Sequence, residues 1–278
     1  MDKKRVIIAG CGFGGLKVAQ KLHKLCGDSI EIIAFDNEDC HTFSPALYAV
    51  ATGETSANEV CEPLSIIFVR KGIKYVQQKI EKINFKKKKI TTNAKNTYSY
   101  DYIVIAIGSE VNYYSISGIK ENSFPLKTKE DAHKIYKHIE KIANSFQEMD
   151  KQHKSNSINK INQIDKTNQI DKTNQIDKTN QIDKTHTIYP GKIHRFVVLG
   201  AGVTGVELAC ELRDHLDTLS IEYNIPKETF VVMVVHALPY VMPGFPKKVT
   251  QYAEHYMASR DITLKLDSPV INAKPGIL

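Results

Sequence analysis

RVIIAGCGFGG, at residues 5–15, places a short apolar run directly before a glycine-rich turn. Apolar residues then recur every three positions from Leu16 to Leu25, which predicts a helix with one buried face. A second apolar run, residues 30–35, ends at Asp36, 21 residues after Gly15. Strand, GxGxxG turn, helix, strand and acid in this order form the dinucleotide fingerprint of a Rossmann unit. The sequence therefore predicts nucleotide binding in this region.

Each residue type of the fingerprint has a physical role. We expect Gly10 to permit the tight turn, Gly12 to let the backbone approach a pyrophosphate, and Gly15 to allow close packing of helix on strand. The free N–H groups and partial positive charge of the helix N-terminus favour phosphate. Asp36 has carboxylate oxygens that can accept hydrogen bonds from both ribose hydroxyls.

A second fingerprint follows about 190 residues later. Residues 195–199 predict a strand, GAGVTG at 200–205 is the turn, and apolar positions between 206 and 219 predict a helix. Residues 230–235 predict the next strand, and His236 stands where an acid is expected. Two fingerprints predict an α/β protein with two Rossmann-like units, one for FAD and one for NAD(P)H. A turn that serves packing alone is the alternative for the second unit.

The region between the fingerprints predicts a small antiparallel excursion. Three stretches with strand-like patterns and polar turns carry it: Gly72–Val76, Gln77–Phe85 and Lys89–Tyr98. Residues 102–107 then predict a buried strand, which Gly108 and Ser109 end.

The composition is that of a globular protein, with 278 residues, 42% hydrophobic residues and a net charge of +7. No apolar run approaches the ~18–20 residues of a membrane span, and we expect no signal or transit peptide within the residues of this sequence. NQIDKT repeats four times between residues 162 and 185, with isolated isoleucines six positions apart. This repeat predicts a disordered insert. The expected organisation is an FAD domain at 1–148, the insert at 150–187 and an NAD(P)H domain at 188–278.

Five scattered cysteines and the absence of a CxxC pair favour reduced thiols and no metal site. The basic run Lys86–Lys89 falls at a predicted strand turn without aromatic neighbours, so nucleic-acid binding is not expected. A role of this run in approaching anionic lipid stays open.

The chain resembles the two-dinucleotide-binding-domain flavoproteins through its two glycine turns and the strand YDYIVIAIGS. Three further segments are similar to type II, non-proton-pumping NADH:quinone oxidoreductases: DCHTFSPALYAVATGE (39–54), FPLKTKEDA (124–132) and PYVMPGFPKKV (239–249). The disulfide reductases carry a CxxxxC pair in the first segment. Here Cys40 has no partner at that spacing, so thiol–disulfide exchange is not expected.

The resemblance implies FAD and NADH as cofactors, with hydride transfer to the flavin and electron transfer to a ubiquinone-type quinone. It places Glu207 near the meeting point of nicotinamide and flavin, as a catalytic residue; an acid favoured by the helix dipole is the alternative. His41 is expected to be a structural hydrogen-bonding residue close to the cofactor. The implied cofactor-binding residues are Gly10, Gly12, Phe13, Gly14, Gly15, Asp36, His41, Thr52, Ile80, Gly108, Ser109, Gly200, Gly202, Val203, Thr204, Gly205, Glu207 and His236.

The family pattern continues beyond Leu278 with a second flavin-binding segment and membrane-docking helices, so a missing C-terminal part is expected. The resemblance also implies peripheral membrane contact, at the mitochondrial inner membrane in a eukaryote or the cytoplasmic face of the plasma membrane otherwise, and it allows a homodimer. His236 replaces the usual acid and leaves NADPH open. The alternatives are a flavin-dependent NAD(P)H reductase with another acceptor and a nucleotide-binding relic without turnover.

Overall fold

The computed structural model describes residues 3–146, residue 148 and residues 193–275. The chain divides into two compact units, Met1–His133 and Lys134–Leu278. The predicted disordered insert at 150–187 lies outside the described residues.

A four-stranded parallel sheet forms the centre of the first unit, in the order β5-β2-β1-β9. These strands are β1 (Lys4–Ala9), β2 (Ile30–Asp36), β5 (Lys74–Gln77) and β9 (Tyr102–Ile105). Ile7 of β1 pairs with Ile33 on one side and with Ile103 on the other. The strands expected before and after the first glycine turn are therefore confirmed to within a residue or two.

Short helices connect the strands of this unit. They are α1 (Phe13–Cys26), α2 (Leu47–Ala51), α3 (Leu64–Val69) and α4 (Ile119–Asn122), with 3₁₀ turns at Gly27–Ser29 and Ser44–Ala46. Alternate residues of β1 and β2 face opposite sides of the sheet, as strand geometry requires. Ile8 and Ala34 pack with Leu64 and Phe68 of α3, whereas Ile7 and Phe35 belong to the cluster on the other face.

The second face is covered by an antiparallel sheet of β6 (Ile80–Asn84), β7 (Lys89–Thr92) and β8 (Thr97–Ser99). The prediction that Gly72–Val76 belongs to this sheet is wrong, because β5 pairs in parallel with β2. The crossover through α3 brings this segment to the edge of the main sheet, and a short strand pattern does not specify its partner. In the basic run, Lys86–Lys88 lie in the turn between β6 and β7, where Lys88 has a φ of 47°, and Lys89 begins β7.

A disulfide joins Cys40 to Cys61, with their Cα atoms 5.6 Å apart. Its residues lie on β3 (Cys40–Thr42) and β4 (Cys61–Pro63), which pair antiparallel so that Thr42 faces Cys61. The expectation of reduced thiols is therefore wrong for this pair, although Cys40 indeed has no partner at the CxxxxC spacing. Strand pairing brings together two residues 21 positions apart, a relation that the CxxxxC spacing rule does not contain.

The second unit has a parallel sheet in the order β10-β11-β12, with helices packed on it. Its elements are α5 (129–146, which begins in the first unit), β10 (His194–Leu199), α6 (Val203–Glu222), a 3₁₀ turn at Lys227–Thr229, β11 (Phe230–Val235), α7 (Lys247–Ser259) and β12 (Thr263–Lys265). The predicted strands at 195–199 and 230–235 and the helix after the second turn are confirmed.

The apolar face of α5 belongs to the core of the second unit. Ile139, Ala143 and Phe146 are buried with residues of β11 and α6. The unit boundary at 133/134 therefore precedes the predicted domain end at 148, because the apolar face of this helix completes the second core. None of the described helices combines the length and apolar composition needed to cross a membrane. The expected fold class, α/β with two Rossmann-like units, is confirmed.

Candidate functional site: two glycine turns

The first glycine turn is shaped by two positions that have no room for a side chain. Gly10 has a φ of +96°, and a Cβ there would collide with the carbonyl oxygen of Ala106. A Cβ on buried Gly15 would collide with the Gly10 carbonyl oxygen, so α1 lies close to the end of β1 only because this residue is glycine. Both positions explain the turn sterically, without reference to a ligand.

Gly12 and Gly14 differ from these two positions. Both are exposed, and a Cβ on either would meet nothing within 4 Å. Packing among the described residues therefore does not require glycine at Gly12, the N-cap of α1. A bare backbone beside the free N–H groups of a helix start is the arrangement that a phosphate can approach closely.

Asp36 lies at the end of β2 and braces the turn. Its Oδ2 accepts a hydrogen bond of 2.6 Å from the Cys11 N–H, and its Oδ1 accepts one of 3.0 Å from the Glu38 N–H. A carboxylate has about four acceptor positions, so each oxygen keeps capacity for a ribose hydroxyl. Burial raises the pKa of the Cys11 thiol to about 12, and the nearby Asp36 charge adds to this. Cys11 therefore stays protonated at neutral pH.

Aromatic rings line the exposed side of the turn. Phe13 packs edge-on against His41 at 4.8 Å between ring centroids and against Phe43 at 5.8 Å. Both phenyl rings are about half exposed. His41 Nδ1 lies 3.1 Å from the carbonyl oxygen of Cys11, which only accepts, so this nitrogen donates. His41 thus fixes the turn as a hydrogen-bonding residue.

The remaining candidates of the first unit have different surroundings. Gly108 (φ +74°) and exposed Ser109 follow β9, whose end lies beside the end of β1 because the Ala106 N–H donates to the Ala9 carbonyl oxygen at 2.7 Å. The Ser109 hydroxyl bonds Lys127 Nζ at 3.0 Å.

Thr52 and Ile80 are engaged in the fold itself. Thr52 is buried, and its hydroxyl donates to carbonyl oxygens of α2. Ile80 packs on the core cluster that contains Ile7. Their implied roles toward a cofactor stay predictions.

The second turn repeats the steric pattern of the first. Gly200 has a φ of +103°, and a Cβ on Gly205 would collide with the Gly200 carbonyl oxygen. A Cβ on Gly202 would meet nothing within 4 Å. Val203 and Thr204 are exposed at the first turn of α6. Both turns thus have a positive φ at the first glycine and a close helix contact at the last, but a Cβ on Gly200, unlike one on Gly10, would meet no described atom within 4 Å.

His236 directly follows β11, at the position where a Rossmann unit places its ribose-binding group. Its N–H donates to the Lys265 carbonyl oxygen at 2.9 Å. Its Nε2 is buried and has no hydrogen-bond partner within the described part of the chain. Burial lowers the pKa of this imidazole, so the ring is neutral at pH 7.

Glu207 lies in the second turn of α6 and is half-buried. Burial raises the pKa of its carboxyl group.

Lys129, at the start of α5, is a residue that sequence reasoning missed. Its Nζ lies 3.3 Å from Cys40 Sγ and 3.5 Å from Cys61 Sγ. No spacing rule links these three residues. Only the pairing of β3 with β4 brings the two sulfurs together beside this amine.

The sequence pattern of the family described as Pyridine nucleotide-disulphide oxidoreductase matches residues 4–276. The chain belongs to this family. Both glycine turns and both parallel sheets lie inside the matched region. The resemblance to two-dinucleotide-binding-domain flavoproteins is therefore confirmed at the family level.

Within this family, the chain is similar to curated proteins named type II NADH:quinone oxidoreductase. It is 26% identical over 272 residues to the protein of Staphylococcus haemolyticus, which covers 97% of this chain and 58% of that protein. The chain thus spans less than two thirds of the length of these relatives. Their bacterial origin gives no support to the mitochondrial location expected as one option.

Solved structures show the same fold. NDH2 from Plasmodium falciparum superposes with a TM-score of 0.73 at 20% identity, over 99% of this chain and 50% of that one. The sulfide:quinone oxidoreductase of Aquifex aeolicus superposes with a TM-score of 0.71 at 21% identity, over 98% and 53%. At these identities the likeness establishes the fold alone.

Proposed function

We propose that this chain is the dinucleotide-binding part of a flavoprotein that transfers a hydride from NADH to FAD and passes two electrons to a quinone. The observation that carries the proposal is the duplicated turn: Gly12 and Gly202 are glycines that internal packing does not need. A glycine without a side chain beside the free N–H groups of a helix N-terminus lets a pyrophosphate approach closely, and the chain has two such sites. The curated relatives named type II NADH:quinone oxidoreductase support this reading.

The first unit is assigned to FAD. The N–H groups at the start of α1 would hold the pyrophosphate, and the free acceptor positions of Asp36 would hold the ribose hydroxyls. Phe13 and Phe43 offer an apolar edge. Gly108 and Ser109 lie at the same edge of the sheet as the turn and would line the cofactor.

The second unit is assigned to NADH. The start of α6, with Gly202, Val203 and Thr204, would hold its pyrophosphate. The Nε2 of His236, which has no hydrogen-bond partner in the part of the chain that the structure describes, is a polar atom that a ribose hydroxyl would satisfy. Glu207, whose raised pKa brings its carboxyl group closer to neutrality, is proposed as the acid near the nicotinamide.

The bond-making chemistry belongs to the cofactors: when bound, FAD accepts a hydride and returns electrons to an acceptor. The protein contributes binding, orientation and charge. Contact with a membrane surface, where a quinone dissolves, and homodimer formation are part of the proposal. The exposed run Lys86–Lys89, which spans the β6–β7 turn and the first residue of β7, offers positive charge for anionic headgroups.

The test starts from the full chain, reconstituted with FAD and kept free of oxygen. We expect flavin absorbance to stay with the protein through gel filtration, NADH to bleach it, and a soluble ubiquinone analogue to restore it. Recovery with a ferredoxin but not with quinone would favour a reductase with another acceptor. Bound flavin that NADH does not bleach would indicate a nucleotide-binding protein without turnover. Failure to retain flavin would contradict the proposal itself.

A further inference from the structure

The Cys40–Cys61 disulfide is accessible from one side. Cys40 is buried, with 7% of its surface exposed, whereas Cys61 is partly exposed. A pocket of about 420 Å³ opens beside the bond, and both cysteines line it together with Asp39, Asn58, Pro63 and Ser65. A small solute can therefore reach the sulfurs, and it meets Cys61 first.

Lys129 adds a charge that a neutral disulfide does not need. Its side chain is only 22% exposed, with Nζ 3.3 Å from Cys40 Sγ and 3.5 Å from Cys61 Sγ. The nearest carboxylate oxygens, on Asp39 and Glu130, lie 3.9 Å away on more exposed side chains. Withdrawing an ammonium group from water costs free energy, and a thiolate beside it would offset that cost.

The same atoms do not favour a metal ion. The ligand atoms of Asp39, Cys40 and Cys61 lie within 4.8 Å of one another, which is close enough for coordination. Both sulfurs are already used in the disulfide, however, and the Lys129 ammonium repels a cation at this position. Redox chemistry of the sulfurs accounts for the cluster better than coordination does.

We propose that Cys40–Cys61 is an exchangeable disulfide that low-molecular-weight thiols reduce, with Cys61 as the attacked sulfur and Cys40 as the leaving group. The incoming thiolate forms a bond to Cys61 Sγ while the S–S bond breaks. The electron pair leaves on Cys40 Sγ, where Lys129 stabilises the thiolate. The product of this step is a mixed disulfide on the more exposed cysteine.

A second thiol completes the exchange. Its thiolate attacks the small-molecule sulfur of the mixed disulfide and releases Cys61 as a thiolate. In sum, two thiols are oxidised to one small disulfide, their two electrons reduce the cysteine pair, and their two protons end on the cysteines. Lys129 is a positioning residue in reduction and in re-oxidation, because the Cys40 thiolate that it stabilises is the leaving group of the first reaction and the attacking group of the second.

The test incubates the full chain in glutathione buffers of graded reduced-to-oxidised ratio, followed by rapid alkylation and peptide mass spectrometry. We expect Cys40 and Cys61 to become alkylated together and reversibly, with the transient glutathione adduct on Cys61. In the Cys40→Ser variant, oxidised glutathione should leave a stable adduct on Cys61. A pair that millimolar glutathione does not reduce, or an adduct mainly on Cys40, would overturn the proposal.

Lys129 is tested by the rate of reduction at pH 7. We expect Lys129→Met to slow reduction about tenfold and Lys129→Arg to retain most of the rate, because only the first removes the cation. Lys127→Met is the matched control, because this exposed lysine lies two residues before Lys129 and donates to the Ser109 hydroxyl instead of contacting the sulfurs. Circular dichroism reports folding of each variant. An unchanged rate in a folded Lys129→Met chain would overturn the role of Lys129.

Discussion

Asp36 accepts a 2.6 Å hydrogen bond from the backbone N–H of Cys11 and so ties the end of β2 to the glycine turn after β1. The acid of the fingerprint is thus a structural brace as well as a candidate ribose ligand. Its second oxygen accepts the Glu38 N–H, which orders the loop beyond the strand. Loss of this side chain would therefore change folding stability and cofactor binding together, and a test has to separate the two effects.

Asp36→Asn should separate them. The amide oxygen can still accept one backbone hydrogen bond, but the charge is lost, and a hydrogen bond to a charged group contributes about 1.5–3 kcal/mol. We expect urea unfolding to show a loss of about 1 kcal/mol and flavin titration to show at least tenfold weaker binding. Glu38→Gln, a change in an exposed acid two residues later, is the control and should alter neither. Equal flavin affinity in Asp36→Asn and the unmodified chain would rule out the proposed ribose contact.

The glycine turns make a second prediction, in which neighbouring positions respond differently to alanine. Gly15→Ala should destabilise the first unit by more than about 2 kcal/mol, because the new Cβ meets the Gly10 carbonyl oxygen. Gly12→Ala meets no atom within 4 Å, so the ligand-free protein should keep its thermal midpoint while flavin binding weakens. Gly205→Ala and Gly202→Ala form the same pair in the second unit. The steric assignment fails if Gly12→Ala unfolds the chain or Gly15→Ala leaves it unchanged.

Much of this fold follows from local sequence patterns, and the exceptions have a common cause. β1, β2, β10 and β11 are predictable because each apolar run adjoins a glycine turn or an apolar helical stripe. The pairing of β5 with β2 and of β3 with β4 is not predictable in this way, because the residue pattern of a short strand does not specify which strand it pairs with. The Cys40–Cys61–Lys129 cluster depends on that same pairing and on the start of α5, so three separate segments must fold before its chemistry exists.

Two partly buried histidines of the second unit, His215 and His236, predict a pH dependence of its stability. Burial lowers the pKa of His215 against the opposing charges of Glu140 and Glu222, and burial also lowers the pKa of His236. Below the unfolded pKa of about 6.5, the unfolded chain binds protons that the folded chain does not. The contribution of the two imidazoles to the free energy of unfolding is therefore fully present above that pH. It is lost as the pH falls toward the lower folded pKa values.

We expect the thermal midpoint of the second unit to decrease as the pH is lowered from about 7.5 to about 5, the range in which histidine titrates. His215→Gln should flatten this profile. Exposed His255, changed to Gln, is the control and should leave the profile as it is. A midpoint that stays level with pH in the unmodified chain would show that neither imidazole is held neutral.

His236 also decides the last prediction, which rests on the proposed NADH site. An acid at this position accepts hydrogen bonds from the ribose 2′-hydroxyl and repels a 2′-phosphate. Neutral His236 has an Nε2 without a hydrogen-bond partner among the described residues, so it can bond the hydroxyl but adds no repulsion. We expect the dissociation constants of NADH and NADPH, read from nicotinamide fluorescence, to differ little at pH 7. Because the pKa of His236 is lowered, any gain for NADPH should come only at a pH well below 6.5.

His236→Glu should restore selectivity for NADH. A carboxylate about 4 Å from a phosphate charge in water costs about 1 kcal/mol, which is about fivefold in affinity and more in a partly buried site. His236→Gln is the matched control, because it keeps a hydrogen-bonding side chain without the negative charge, and it should stay unselective. Binding constants need no electron acceptor, so this comparison does not depend on turnover. Strong, pH-independent preference for NADH in the unmodified chain would mean that another residue reads the ribose.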